Sequence, residues 1–365
     1  MQEKAYWLGW QIVLPGMAKR IWNLIERFGS PAVAWNATAG ELVRTGGCSV
    51  ETASALDKRK AGLDLQIELD RLEEAGITYI LYEESSYPEL LKTIFDPPPG
   101  LFIRGSLLPA DSLAVAVVGS RRPTPYGLAV AEKMAEEMAR AGIIVVSGMA
   151  RGIDSSAHRG ALKAGGCTIA VLGCGLDVVY PRENRRLKED ISSCGAVISE
   201  YPLGSLPEAW HFPVRNRIIS GLSKATVVVE AGERSGALIT ADCALEQGRD
   251  VLAVPGNISS PLSKGPNRLI KQGARLVEKT EDILEEIGVG SLFGAKNGKT
   301  PSLPQLTGEE EAVYRLLSHE PVDLDKLVAL ANLPVQEVLA ALMFLEIKGL
   351  VRQLPGRLYV LRGLA

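Results

Sequence analysis

Ala114-Val-Ala-Val-Val118 is followed by Gly119-Ser-Arg-Arg-Pro-Thr-Pro-Tyr-Gly127, a helical stretch to about Ala141, and Ile143-Ile-Val-Val-Ser147. An apolar run with no polar alternate positions must be covered on both faces. Two such runs joined by a helix make a βαβ unit of a parallel sheet. The unit repeats downstream. Strands are predicted at Thr168–Leu172, Ala196–Ser199, Ala225–Val229, Val251–Val254 and Arg275–Val277, with helices near 155–164, 184–193, 237–247 and 266–272. The pattern predicts an α/β fold: an extended Rossmann-like, doubly wound, mostly parallel sheet.

Outward from this series the character changes on both sides. Ile77–Leu81 and Leu101–Ile103 read as two more strands, so the α/β domain spans residues 76–290. Residues 1–75 carry helical spacing (Ile21, Leu24, Ile25, Phe28) with breaks at Gly29-Ser-Pro31 and Gly46-Gly47, and form a helical module. Within it Leu14-Pro-Gly-Met17 resembles the turn of a helix-hairpin-helix, with Ala18 where the second glycine usually stands; a plain packing module is the alternative. Residues 291–306 are short of large apolar residues and read as a linker. From 307 to 365, a capping box at Thr307 and Glu310, a helix after Asp323, another over Pro334–Lys348 and two strands around Pro355-Gly356 make a winged helix.

Composition removes several classes of function. With 46% hydrophobic and 23% charged residues the chain folds as an ordinary globular protein. No apolar run reaches the length of a membrane span and no signal segment stands at the N-terminus, so a cytoplasmic location with no membrane partner is expected. Five cysteines without a CxxC pair and three histidines offer no zinc spacing. The net charge of −3 hides an asymmetry: residues 119–275 hold 20 Lys and Arg against 15 Asp and Glu. The central domain is the part suited to an anion.

In an open parallel sheet, ligands lie beyond the carboxyl ends of the strands. The first loop there, Gly119 to Gly127, lacks the GxGxxG of dinucleotide sites, but Gly119 lets backbone amides approach an anion and Arg121 or Arg122 can fork onto phosphate. The second, Ser147–Asp154, is followed by His158, and the third, Gly173–Pro181, contains Cys174 and Asp177. His158 reads as a buried or capping residue, Cys174 as spacing, and Asp177 as one half of an internal ion pair. The stretch Trp210-His-Phe-Pro-Val-Arg-Asn-Arg217 through Lys224 interleaves aromatics with Arg215, Asn216, Arg217 and Lys224, which a single strand needs for bases and backbone. A core-plugging loop is the plainer reading of it. Ser235-Gly236 opens a helix and offers another phosphate seat, and Pro255-Gly-Asn257 and Gly265–Ile270 add two glycine-marked turns. A rim of small and basic residues suits an extended polyanion.

In this order GSRRPTPYG, SGMARGID with His158, FPVRNRIISGLS, SGALITA, PGN and GPNRLIKQGA resemble the DNA-processing protein A (DprA, or Smf) family across the whole α/β domain. The resemblance implies a protein that binds single-stranded DNA in the rim pocket, protects incoming DNA, forms a homodimer and loads RecA during natural transformation. It implies no cofactor and no catalytic residue. It places Gly119, Ser120 and Arg121 in the phosphate pocket, Arg215, Asn216, Arg217 and Lys224 beside it, and the dimer and recombinase surface on the GPNRLIKQGA helix. Bases are expected against Trp210, His211 or Phe212. The winged helix has six basic against eight acidic residues, which favours a protein partner over duplex DNA, with Arg352 and Arg357 as the contrary sign.

An enzyme is the competing class. Nucleotide hydrolases of the lysine-decarboxylase-like Rossmann group use a PGGxGTxxE loop, whereas here the loop reads AGERSGALITAD. Glu230 or Asp242 would have to supply the carboxylate. A dehydrogenase lacks both its glycine fingerprint and its ribose-binding acid.

Overall fold

The computed structural model describes residues 3–45, 47–107, 112–289, 306–318, 321–354 and 356–361. Gly46, Pro355 and all of the expected linker except Leu306 lie outside them. Among the described residues, the N-terminal region forms six helices: α1 (Glu3–Val13), α2 (Ala18–Phe28), α3 (Pro31–Asn36), α4 (Ala39–Arg44), α5 (Val50–Ala61) and α6 (Leu65–Glu74). Then come β1 (Thr78–Leu81), α7 (Glu89–Lys92) and β2 (Gly100–Gly105). The alternating series follows: β3 (Ala114–Val118), α8 (Pro125–Arg140), β4 (Ile144–Ser147), α9 (Ile153–Lys163), β5 (Thr168–Leu172), α10 (Arg185–Cys194) and β6 (Ala196–Ser199). After it stand α11 (His211–Gly221), β7 (Ala225–Val228), α12 (Gly236–Glu246), β8 (Asp250–Ala253), α13 (Lys264–Lys271), β9 (Arg275–Leu276) and α14 (Thr280–Glu286).

The strands form one nine-stranded sheet in the order β1-β2-β6-β5-β4-β3-β7-β8-β9. From β6 to β9 it is parallel, and β2 and β1 extend it antiparallel at one edge. The chain winds from β3 outward to β6, then returns to lay β7 on the other side of β3. The crossovers on the two sides of β3 therefore run in opposite directions, which opens a crevice at the carboxyl ends of β3 and β7.

Strands β3 to β7 are buried on both faces, as their apolar runs require, while the edge strand β9 is exposed. One face carries α11 and α12, whose Ile218, Ile219, Leu238 and Ala241 pack with Ala116, Val118, Val146 and Val171. On the other, α8 and α9 cover Val115, Val117 and Val145. The rest of that face is covered by α10 together with the N-terminal helices. Trp7, Leu8, Trp10 and Ile21 share a core with Phe102, Ala170, Leu172 and Val197. Gln11 reinforces the contact, donating to Gly100 O at 3.0 Å and Glu200 O at 3.1 Å. The 75/76 boundary thus separates kinds of secondary structure but not two cores.

The C-terminal region is a winged helix: α15 (Gly308–Leu316), α16 (Leu324–Ala331) and α17 (Val335–Ile347) with β10 (Val322–Asp323), β11 (Val351–Leu354) and β12 (Leu358–Leu361) in the order β10-β12-β11. Thr307 and Glu310 form the expected capping box, and Asp323 caps α16. Val313, Leu327, Val338, Leu342 and Leu345 make its own core.

The shared core makes a stability prediction. A chain that starts at residue 76 exposes Phe102, Ala170 and Leu172, and its thermal midpoint should fall by roughly 10 °C or more, or the protein should fail to stay in solution. An unchanged midpoint in a calorimetric scan would show the helices to be an independent unit.

Candidate nucleic-acid pocket

The pocket is built from strand ends. Beyond Val118 the Ser120 N–H donates to Glu230 O at 2.6 Å, extending the β3–β7 pairing by one step. Glu230 is buried, and its carboxylate accepts the Thr124 N–H at 2.8 Å and the Thr124 hydroxyl at 2.6 Å. Thr124 in turn caps α8, accepting from the Gly127 N–H at 3.2 Å. Gly127 has no alternative here, because a side chain would run into the Glu230 carboxylate. These bonds hold the Arg121–Pro123 loop at the crevice.

On the other side lies α11. Arg215 is buried at the ends of β4 and β5, where its Nη1 donates to Gly148 O at 2.7 Å and to Val171 O. Burial pushes its pKa down to about 10, against the pull of Asp154. Asp154 is itself buried, which raises its carboxyl above the usual range despite Arg215, and it accepts the Ala150 N–H at 3.2 Å. A side chain at Gly148 would strike both groups. Asn216 donates to Gly236 O at 3.2 Å and so ties α11 to the start of α12, where Ser235 accepts from the Ala237 N–H.

Between these walls is a cavity of about 800 Å³. Its lining holds Gly119, Ser120, Arg121, Phe212, Arg215, Asn216, Ser235 and Gly236, all expected from the sequence. The Arg121 guanidinium lies 5.0 Å above the Phe212 ring, and the Tyr180 ring is 5.4 Å from Phe212. Tyr180 and Arg234 also line it, and neither stands out in the sequence, although each ends or interrupts one of the glycine loops. Among the described residues, three arginines stand there against one acid, Asp154. The site has the equipment for a phosphate beside an unstacked ring.

Several residues sit otherwise than the sequence suggests. Arg217 turns away from the pocket: it is buried and paired with Glu200 at 2.7 Å and Asp96 at 2.9 Å. Lys224 precedes β7, its N–H bonded to Ala114 O, and so sits at the opposite end of the sheet. Trp210 and Arg122 do not line the cavity; Trp210 is 46% exposed at its edge, set against Tyr201 and His211. His211 is buried, stacked 4.0 Å from Tyr201 and bonded to Gly173 O at 3.0 Å, so no base reaches its face. The Ser120 N–H, spent on Glu230 O, is likewise closed to phosphate.

The groups that invited a catalytic reading are engaged elsewhere. Both Glu230 oxygens serve Thr124, and Asp242 is exposed on α12 outside the cavity. His158 is fully buried with Nδ1 2.7 Å from Thr168 Oγ1, and burial, helped by Arg215 and Arg159, lowers its pKa to about 3. Burial raises the Cys174 thiol to about 11, far from a reactive thiolate. Asp177 accepts the Gly204 N–H at 2.9 Å in place of the expected ion pair.

The model of a family described as DNA recombination-mediator protein A matches residues 78–288, and that of the DprA winged helix domain matches residues 297–357. Protein Smf of Synechocystis sp. is 35% identical over 394 aligned positions, covering 98% of each chain. Among solved structures, DNA processing protein A of Streptococcus pneumoniae shares 37% identity over 75% of this chain and 95% of its own, with a TM-score of 0.65. That from Helicobacter pylori, described for its single-stranded DNA binding mode, shares 30% over 57% and 94%, with a TM-score of 0.52.

Two predictions separate structural from pocket residues. Arg217→Ala leaves the Glu200 carboxylate buried without its partner and should cost about 3–5 kcal/mol in urea unfolding, whereas Arg121→Ala should stay within about 0.5 kcal/mol. Equal effects would refute the assignment. The second concerns acid. The unfolded chain takes up a proton on His158 near pH 6.5, and the folded one only near 3. The His158 contribution to stability is therefore complete above pH 6.5 and falls as pH drops toward 3, by at most about 1.4 kcal/mol per pH unit. His158→Asn should flatten that slope; an unchanged slope would mean His158 is not held neutral.

Proposed function

This chain belongs to the DNA recombination-mediator protein A family, and from that premise we propose that it binds single-stranded DNA, without regard to sequence, in the pocket at the ends of β3 and β7. The observation that carries the reading is the Arg121–Phe212–Tyr180 cluster facing a cavity with a cationic excess. Backbone phosphates go to Arg121 and Arg234, and a base turns toward the aromatic rings. Because an aromatic face and a guanidinium read no base edge, every sequence is accepted alike. Arg215 supports the site from behind, its hydrogen bonds directed at strand-end carbonyls.

The work done is binding and delivery, with no cofactor and no turnover. Glu230, the acid that a hydrolase of this architecture would need, is spent on Thr124, which weighs against the enzyme reading. Delivery means protecting incoming single strands in the cytoplasm and loading RecA onto them during natural transformation. The family model's own description as a recombination mediator favours this. The protein acts as a homodimer, with the α13 region offered for both its own copy and the recombinase. Among the described residues no single helix is long and apolar enough to cross a membrane.

The test is fluorescence anisotropy with labelled oligo-dT and a matched duplex across a salt series. Wild type should prefer the single strand. Arg121→Ala should weaken binding to all sequences alike and reduce the salt slope by about 0.7 for each phosphate that the variant no longer neutralises. An unchanged affinity and slope would remove Arg121 from the site. Failure to bind single strands at low salt, with hydrolysis of nucleotides abolished in Glu230→Gln, would establish the enzyme reading.

A further inference from the structure

We infer that single-stranded DNA leaving the pocket continues over Trp210 onto a second platform made by Phe95 and Lys19, where the N-terminal helices meet the sheet domain. The inference rests on the proposed pocket and extends its path. Phe95 is 83% exposed, and the Lys19 ammonium lies 4.7 Å from its ring centroid, so one face carries a cation while most of the ring meets solvent. An exposed ring beside a cation offers a stacking surface for a base and a partner for its phosphate.

The platform lies on the pocket side of the sheet and is held in place. It belongs to the loop before β2, whose antiparallel pairing with β6 puts that loop at the carboxyl end of β6. Trp22 of α2 donates to Pro97 O at 2.8 Å, which fixes α2 and Lys19 against the loop. Asp96, next to Phe95, bonds Arg217 of α11 at 2.9 Å, so the acid closest in sequence to Phe95 is already compensated.

Helix α11 connects the two surfaces. Trp210 and Arg217, seven residues apart, fall on one face of the helix about 10 Å from each other along its axis. Trp210 stands at the cavity edge between the lining residues Ala209 and Phe212, and Arg217 touches the Phe95 loop through Asp96. The exposed Trp210 ring is braced edge-on by His211 and Tyr201, and Tyr201 packs against the Gly16 turn that leads into α2. Rings at Phe212, Trp210 and Phe95 thus follow one another along the rim, with Arg121 at one end and Lys19 at the other.

The experiment measures oligo-dT affinity as a function of length for wild type, Phe95→Ala and Lys19→Ala, with thermal midpoints recorded in parallel. Both side chains being at the surface, the midpoints should not change. Short oligonucleotides that fill only the pocket should bind all three proteins equally. Longer ones should bind the Phe95 variant about tenfold more weakly, and the salt slope of the Lys19 variant should fall by about 0.7. Wild-type affinity of both variants for long oligonucleotides would overturn the platform and leave the pocket standing. Equal loss for short and long ones would overturn it too, placing the effect in the pocket. Wild type that binds no single strand of any length would overturn the pocket and the platform together.

Discussion

A full positive charge buried at the carboxyl ends of a parallel sheet has to be met within the fold, and the way Arg215 is met arranges everything around it. Its guanidinium caps the carbonyls of Gly148 and Val171 at the end of the sheet, where backbone acceptors need donors. That fixes α11 across the ends of β4 and β5. Two residues later Arg217 points the other way, into Glu200 and Asp96. Two buried arginines on different faces leave α11 little freedom to roll, and Phe212 and Asn216 inherit their positions from it. The glycine at 148 follows from the same demand for space.

The second clamp, Glu230 on Thr124, does for the first loop what Arg215 does for α11. Between the two clamps the crevice of the doubly wound sheet is held open with Arg121 and Phe212 on facing walls. Its surplus of guanidinium groups over carboxylates gives it the charge that the proposed anionic ligand needs. On the proposed reading, the two clamps hold the groove's walls in place before a strand binds, which would spare part of the cost of ordering them.

The strands were legible because a parallel sheet demands unbroken apolar runs, and Ala114–Val118, Thr168–Leu172 and Ala196–Ser199 stand where those runs predict. The first loop and the start of α12 were legible for a related reason: glycine and serine at strand ends have few other uses. Helix α11 was not. Pro213 and the polar Arg-Asn-Arg run hide its periodicity, yet a proline in the first turn removes no hydrogen bond. Composition also cannot tell a buried arginine from a solvated one, so Arg217 read as a DNA contact. Lys224 misled because closeness in sequence ends with the helix: seven residues beyond Arg217 the chain has crossed to the far end of the sheet. The union of the N-terminal helices with the sheet was hidden because Phe102 and Leu172 look the same under a helix of any origin.

The crevice between β3 and β7 is proposed to hold the single strand. Photo-crosslinking of a bromodeoxyuridine-substituted oligonucleotide, followed by mass-spectrometric mapping of the attached peptides, tests it most directly. Cross-links are expected at Phe212 and Tyr180. Cross-links confined to the winged helix, or to the end of the sheet that carries Lys224, would contradict it.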